Sequence, residues 1–585
     1  MVVMIEKKKK KKKKKKGDAV QGNGDEYSFR RDIARELLEL SIKLHGRGES
    51  VNNEVRLKLN SVIGRLDPRY SLSLLDVRTP DGDSSVYDQA DTCREVYLDR
   101  KQGYPYYQTG FTVSPDCPNF KRETPISKLV SIILLDTKGT YLNTVIKGIR
   151  NYSRDIQILV ASGNIQRTSL NYTLSYAVNE EIYNTPGNLL NTMVGDVKTP
   201  YVLIAKDLTH FTNYSRVERL VHLLPKSSPV GVAAGSTRNL TGHWKQGCQQ
   251  TDIRNYLLHI THGYLHSTQD CMFCDHVSDP FLVKTEVLRK VTFDETLPFQ
   301  ILFNDWFLQL KESGILAVTC PDIMFFINGE EEPWHEHWLA LARKMQISRI
   351  FLSPNKHFKF TCEELSLSCD PWDWTEHFLL PTCCFEQIRN TLSKLHSFAE
   401  MKNMAYELDS GSQLAAVKLQ GHSPWDLDGD LQYNSKFYEH FKIHNGSKSQ
   451  SGIYFDDFMT EYKKFKIFTP KIYIEMWGMD TLSSSLFLPE DLRNTPTLMP
   501  VMGLWIRGQA NPGLYARNKY GPNHLKHALF YLFNNHSEWD EYKTAGKWPS
   551  CPKKHHACVN RYPGDGSVHF TPHYFYNLGI TWDDI

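Results

Sequence analysis

The sequence lacks any run of the roughly 18–20 apolar residues that span a bilayer. Its longest apolar run, Leu129–Leu135, has the length of a strand. A secretory pattern is missing as well, because the apolar start Met1–Ile5 is too short for a signal-peptide core. No Walker A motif, Rossmann glycine motif, Gly-x-Ser-x-Gly elbow or His-Glu-x-x-His pair occurs. P-loop, dinucleotide, α/β-hydrolase and zinc-protease chemistries therefore have no sequence support. No repeat of 20–50 residues is visible, so a solenoid or propeller is excluded. Twelve cysteines in 585 residues are too few for a disulfide scaffold. With 41% hydrophobic and 23% charged residues, wholesale disorder and collagen-like repeats are also excluded.

The basic excess is a tail effect. Formal net charge is +3, yet Lys7–Lys16 is a run of ten lysines. Without it 59 basic residues face 66 acidic ones, and the remainder carries −7. A nucleic-acid partner loses its electrostatic footprint once the tail is set aside. The run itself reads as a solvated tail. Six Asn-x-Ser/Thr sequons, at Asn151, Asn171, Asn213, Asn239, Asn445 and Asn535, hint at a secretory lumen.

What is there reads as an α/β chain. Residues 1–25 form a disordered Lys-rich tail. Over 26–124 a helical stem carries Ile33, Leu37, Leu40 and Leu44 at helical spacing, with a second helix near Val55–Leu66 and a loop-rich connector after it. Residues 125–348 then alternate. A buried strand spans Leu129–Asp136, a helix follows with Leu142, Val145, Ile146 and Ile149 on one face, and a second strand spans Ile156–Ala161. That order implies a βαβ unit with a parallel sheet. Further strands are expected at Tyr201–Ala205, Val230–Ala234 and Ile315–Thr319, with a helix led by Asn304-Asp305-Trp306. Residues 349–585 open with Cys362, Cys369, Cys383 and Cys384, followed by a helix over Cys384–Phe398 and a short strand over Met404–Leu408.

The most informative segment is Ser423-Pro424-Trp425-Asp426-Leu427-Asp428-Gly429-Asp430-Leu431. Alternate residues of a strand share one face, so Asp426, Asp428 and Asp430 would crowd one patch. Crowded carboxylates repel unless a cation sits among them. Mg²⁺ suits such a patch, because it bridges carboxylates and substrate phosphates. An EF-hand is excluded, since Phe437 stands where the twelfth-position Glu would be. Upstream, Gly411 and Ser412 open a short helical stretch, a arrangement that lets backbone N–H groups approach a phosphate.

Two resemblances extend this reading. VSIILLDTKGTYLNTVIKGI, NLLNTMVGDVKTPYVLIAKDLTHF and FNDWFLQLKESGILAV resemble a GT-A glycosyltransferase domain, which is Rossmann-like. Where that family has Asp-x-Asp, this chain has Asp207-Leu208-Thr209, so the resemblance implies the shape with an inactive metal site. GSQLAAVKLQGHSPWDLDGDLQY resembles the LicD family of nucleotidyltransferase-fold phosphotransferases, with Gly411, Ser412, Leu414, Pro424, Trp425, Asp426, Asp428 and Asp430 in register. Ala415 and Lys418 replace the family's glycine and arginine. The strand Ile472–Trp477 places Glu475 where the family usually has Asp, and residues 511–521 resemble its closing helix. A GT-A-like domain ahead of a LicD-like α+β catalytic domain resembles the fukutin-related members of the family. The cysteine spacing repeats their zinc loop, and four thiolates suit a structural Zn²⁺; disulfides within the loop are the alternative.

The resemblance implies transfer of an alditol phosphate, ribitol 5-phosphate or a related phospho-alcohol, from a CDP-activated donor to a glycan hydroxyl in protein glycosylation. Mg²⁺ would be held by Asp428, Asp430 and Glu475. Asp426 would orient the acceptor or take its proton. Gly411, Ser412 and Lys418 would contact phosphate. A Golgi or ER-luminal site is expected, with a glycoprotein acceptor, no nucleic acid and a possible homo-oligomer; no membrane anchor is visible in this chain. Two alternatives stand beside this: a glycosyltransferase working around Asp207, and a non-catalytic glycan-binding homologue.

Overall fold

Continuous apolar runs flanked by amphipathic helices dictate sheets covered by helices, and the computed structural model has that form. It describes most of residues 124–521, with short interior breaks, together with residue 524 and fragments at 33–37, 59–67, 95–97 and 111–113. The lysine run, Leu40 and Leu44 of the stem, and the sequons at Asn171 and Asn535 lie outside the described residues. From the stem, Ala34, Leu37 and Ile63 are buried against one another. The chain divides into two units, residues 1–251 with 261–337, and residues 252–260 with 338–585.

The first unit is built on a mixed sheet. β1 (Val130–Asp136), α1 (Leu142–Tyr152) and β2 (Gln157–Ser162) form the expected parallel crossover. β3 (Leu174–Ala177) extends one edge, and α2 (Gly187–Gly195) leads to β4 (Tyr201–Lys206), parallel to β1 on its other side. β5 (Val230–Arg238), β6 (Cys271–Cys274), β7 (Phe281–Lys284), α3 (Phe299–Glu312) and β8 (Leu316–Ile327) complete the unit. The strand order is β6-β8-β5-β7-β4-β1-β2-β3. β7 runs antiparallel to both β4 and β5, whereas β5 and β8 are parallel. Six consecutive residues of β1 are buried, as covering on both sheet faces requires. Asn304-Asp305-Trp306 falls inside α3 rather than at its start, because the helix begins behind Pro298 and buries Phe299, Ile301 and Leu302 first.

The second unit is α+β. Arg349–Leu352 (β9) pairs with Leu257–His262 and with Lys356–Lys359. Behind Pro381 runs α4 (Thr382–Met401). Then come β10 (Tyr406–Leu408), α5 (Ser410–Leu419) and β11 (Asp428–Asn434). β12 (Tyr454–Met459), β13 (Lys464–Phe468) and β14 (Tyr473–Met479) follow, then the hairpin β15 (Leu498–Val501)–β16 (Leu504–Arg507) and α6 (Pro512–Tyr520). The five-stranded sheet is ordered β10-β11-β14-β13-β12. Its period-two alternation is clean. Leu431, Tyr433, Ile474, Met476, Phe465 and Ile467 share one buried core with Ile388, Leu392 and Leu395 of α4. The opposite face carries the polar residues described next.

The zinc reading is corrected here. Cys362 is bonded to Cys383 and Cys369 to Cys384, so no thiolate remains to ligate a metal. The pairing is local for a physical reason. Cys383 and Cys384 are neighbours at the start of α4 and point about 100° apart around the helix. Each therefore meets a different cysteine of the preceding loop. Cys271 and Cys274 do not bond each other either. They join Cys320 and Cys248 respectively, because an odd separation of three puts them on opposite faces of β6.

Candidate functional site

β10 ends at Leu408, and the chain turns at once into α5. The Asp409 N–H donates to the Asp430 carbonyl at 2.9 Å, which ties the helix start to β11. Ser410 takes a positive φ of 41° to make the turn. Gly411 N–H then donates to Asp430 Oδ2 at 3.1 Å, and Asp430 N–H donates to Ser412 Oγ at 2.8 Å. A Cβ on Gly411 would lie 2.9 Å from Asp426 Oδ2 and 3.4 Å from Asp430 Oδ2. Glycine is thus what lets this helix terminus approach two carboxylates at once.

β11 and β14 are parallel and in register, with Asp428 opposite Tyr473 and Asp430 opposite Glu475. Asp428, Asp430 and Glu475 each present an oxygen within 4.8 Å of the others. Opposed ligands of a six-coordinate Mg²⁺ stand roughly 4.2 Å apart, so modest side-chain movement closes the set. All three groups are carboxylates, the donor type hard cations take. No other group of three or more His, Cys, Asp or Glu with this spacing occurs among the described residues.

Two lysines that the sequence reading missed complete the polar face. Lys464 Nζ lies 2.7 Å from Glu475 Oε2, and Lys466 Nζ lies 3.5 Å from Oε1. Lys464 also sits over the Trp477 ring at 4.1 Å, and Lys466 over Tyr473 at 4.6 Å. Tyr473 donates to Asp428, and its own ionisation is pushed up by burial and by the carboxylates around it. The Lys464-x-Lys466 alternation was a readable signal, since both share a face with Glu475 across the β13–β14 pair.

Asp426 departs from expectation. It lies ahead of β11 rather than on it, and the strand begins at Asp428. Its placement comes from His422, which is buried, has its imidazolium disfavoured by that burial, and is hydrogen-bonded from Nε2 to the Asp426 carbonyl at 2.9 Å. Pro424, Trp425 and Leu427 lie outside the described residues. Lys418 lies two helical turns, roughly 10 Å, from Gly411. It is buried, and burial pushes its ammonium down to about 7. A second missed group sits at the start of α5. Tyr515 of α6 donates to Asp409 and accepts from the Ser410 N–H, while Lys519 reaches Ser410 Oγ and Tyr515.

In the first unit Asp207 is spoken for. Its carboxylate accepts from Thr137 N–H at 2.8 Å and from Thr137 Oγ1 at 2.7 Å, and its φ is 46°. The neighbouring Lys206 packs over the Phe299 ring at 4.4 Å. Thr209, in place of a second carboxylate, is buried.

No family model matches the chain. It is similar to beta-1,4 N-acetylgalactosaminyltransferase 2 of Mus musculus, 26% identical over 212 residues, which are 34% of this chain. The chain spans 40% of the length of that curated relative. Among solved structures it is similar to S. aureus TarS, at 12% identity and a TM-score of 0.26 over 59% of this chain and 60% of that one. The mannosyltransferase PcManGT of Pyrobaculum calidifontis, in complex with GDP-Man and Mn²⁺, is similar at 11% identity and a TM-score of 0.23 over 37% of this chain and 62% of that one.

Proposed function

We propose that the protein is a metal-dependent transferase of glycan biosynthesis that works at the carboxylate face of β11 and β14. The reaction we assign is transfer of an alditol phosphate, such as ribitol 5-phosphate, from a CDP-activated donor to a glycan hydroxyl, with release of CMP. The observation that supports this reading is the convergence of Asp428, Asp430 and Glu475 within 4.8 Å, beside a helix start opened by Gly411. Asp428, Asp430 and Glu475 would hold the Mg²⁺, which when bound supplies neutralisation of the donor's diphosphate charge. Lys464 and Lys466 offset part of the carboxylate charge and hold Glu475 in place. Asp426, next to Gly411, is the group we assign to orient the acceptor hydroxyl and take its proton. The four disulfides among the described residues support an oxidising compartment, the Golgi or ER lumen.

The test is direct. Purified protein is incubated with a panel of CDP-alcohols and Mg²⁺, and CMP release is measured with and without a glycan acceptor. Asp428→Asn should lower acceptor-dependent release by roughly 10²-fold or more, the scale of losing a preorganised charge at a transferring phosphoryl group. Full activity in Asp428→Asn would remove the reading. A second reading, sugar transfer from a nucleotide-sugar by the first unit, is favoured by the similarity to the mouse enzyme. It requires turnover of a nucleotide-sugar that Asp207→Asn abolishes and Asp428→Asn leaves intact.

A further inference from the structure

Of the two lysines on Glu475, Lys464 stands apart from its neighbour. Phe465 and Ile467 of β13 enter the core, so Lys464 and Lys466 alternate onto the opposite face, with the carboxylates. Lys466 is directly opposite Glu475, and Phe465 is opposite Met476. Lys464, two residues before Lys466 on β13, reaches back on the diagonal and comes closer, 2.7 Å from Oε2 against 3.5 Å between Lys466 and Oε1. It is also the more buried of the two, at 7% exposure.

A lysine at the edge of a site normally carries its charge out to water along a flexible stem. Lys464 keeps its ammonium on the face instead, over the Trp477 ring at 4.1 Å. Trp477 is two residues beyond Glu475 on β14 and so shares that face. An ammonium has three N–H groups. Glu475 Oε2 accepts one, and the Trp477 ring attracts the charge without offering a lone pair.

Glu475 is shared between two tasks. Its carboxyl belongs to the set with Asp428 and Asp430, whose oxygens lie within 4.8 Å of one another, and the same carboxyl holds Lys464. A carboxylate that ligates a divalent cation gives up much of its charge, and two cations on one carboxyl repel. The hold on Lys464 therefore loosens whenever the three carboxylates are loaded. A buried ammonium needs an anion. The reaction assigned above brings one to this place, the diphosphate of the donor.

We infer that Lys464 is a donor-binding residue, held by Glu475 when no donor is bound and passed to a diphosphate oxygen of the nucleotide donor when one is. The inference rests on the assigned reaction and adds to it the residue that reads the diphosphate. Trp477 keeps the ammonium on the carboxylate face in both positions.

Isothermal titration of the full-length protein with CDP at saturating Mg²⁺ tests this. Lys464→Met should weaken CDP binding about tenfold, the scale of one lost hydrogen bond to a charged group. Cytidine, which has no phosphate, should bind the variant and the wild type equally. Lys464→Arg should recover most of the lost CDP affinity, since it restores a cationic donor. Titration with Mg²⁺ alone should find Lys464→Met binding the ion no more weakly than the wild type, because Lys466 still neighbours Glu475 and a repelling cation is gone. Weaker Mg²⁺ binding with CDP affinity lost in parallel would overturn the inference, since Lys464 would then serve only to hold Glu475. Unchanged CDP affinity in Lys464→Met would overturn it alone and leave the assigned reaction standing. Absence of CDP binding by the wild type would overturn the assigned reaction, and this inference with it.

Discussion

Single atoms decide the carboxylate site at Gly411. Alanine there would put a methyl group 2.9 Å from Asp426 Oδ2, so that carboxylate must move. In a helix the same change contributes about 0.5–1 kcal/mol of stability. Gly411→Ala should therefore leave the thermal midpoint equal or raised while acceptor-dependent CMP release falls. A variant that loses both together would show that the glycine serves folding instead. Lys418 gives a pH prediction. Burial lowers its folded-state pKa from 10.5 to about 7. Below pH 7 the full cost of burying the charge is present. As pH rises from 7 to 10.5 the unfolded chain binds more protons than the folded one, so stability rises. Lys418→Met removes that slope. Calorimetry from pH 7 to pH 10 should find the variant's stability advantage shrinking as pH rises.

At the scale of elements, the loop before α4 depends on two crossing staples. Cys362–Cys383 closes 21 residues and Cys369–Cys384 closes 15. Each restricts the unfolded chain by about 3 kcal/mol in the entropic account. Peptide mapping without reduction should recover both pairings, and metal analysis should find no stoichiometric zinc. Recovery of four free thiols with one zinc per chain would restore the Cys₄ site and overturn the disulfide assignment. The same staples tie the first turn of α4 to the loop before it.

For the whole molecule, eight described cysteines are joined in four disulfides, which fits an oxidising compartment better than the cytosol. Among the described residues no helix is long and apolar enough to cross a membrane. Three sequon asparagines, Asn151, Asn213 and Asn445, are exposed. Protein produced through a secretory pathway should lose apparent mass on treatment with an N-glycosidase, and Asn445→Gln should remove one step of that shift. An unchanged mass would count against luminal residence.

The sequence by itself determined the elements and the pairing of the carboxylates within one strand. Seven-residue apolar β1, the crossover through α1 and the two-residue spacing of Asp428 and Asp430 follow from periodicity, which is local. Glu475 was legible only through resemblance, since its approach to Asp430 depends on β11 and β14 lying side by side, a choice no local signal records. Tertiary structure alone decided three further matters. It brought Lys464 and Lys466 onto Glu475 by antiparallel register. It set Asp426 ahead of the strand, through a buried histidine four residues away. It also sorted four clustered cysteines into two bonds rather than one metal site. The physical reason is common to all three: charge pairing, burial and sulfur geometry depend on distances between segments, whereas a sequence pattern fixes only distances along one.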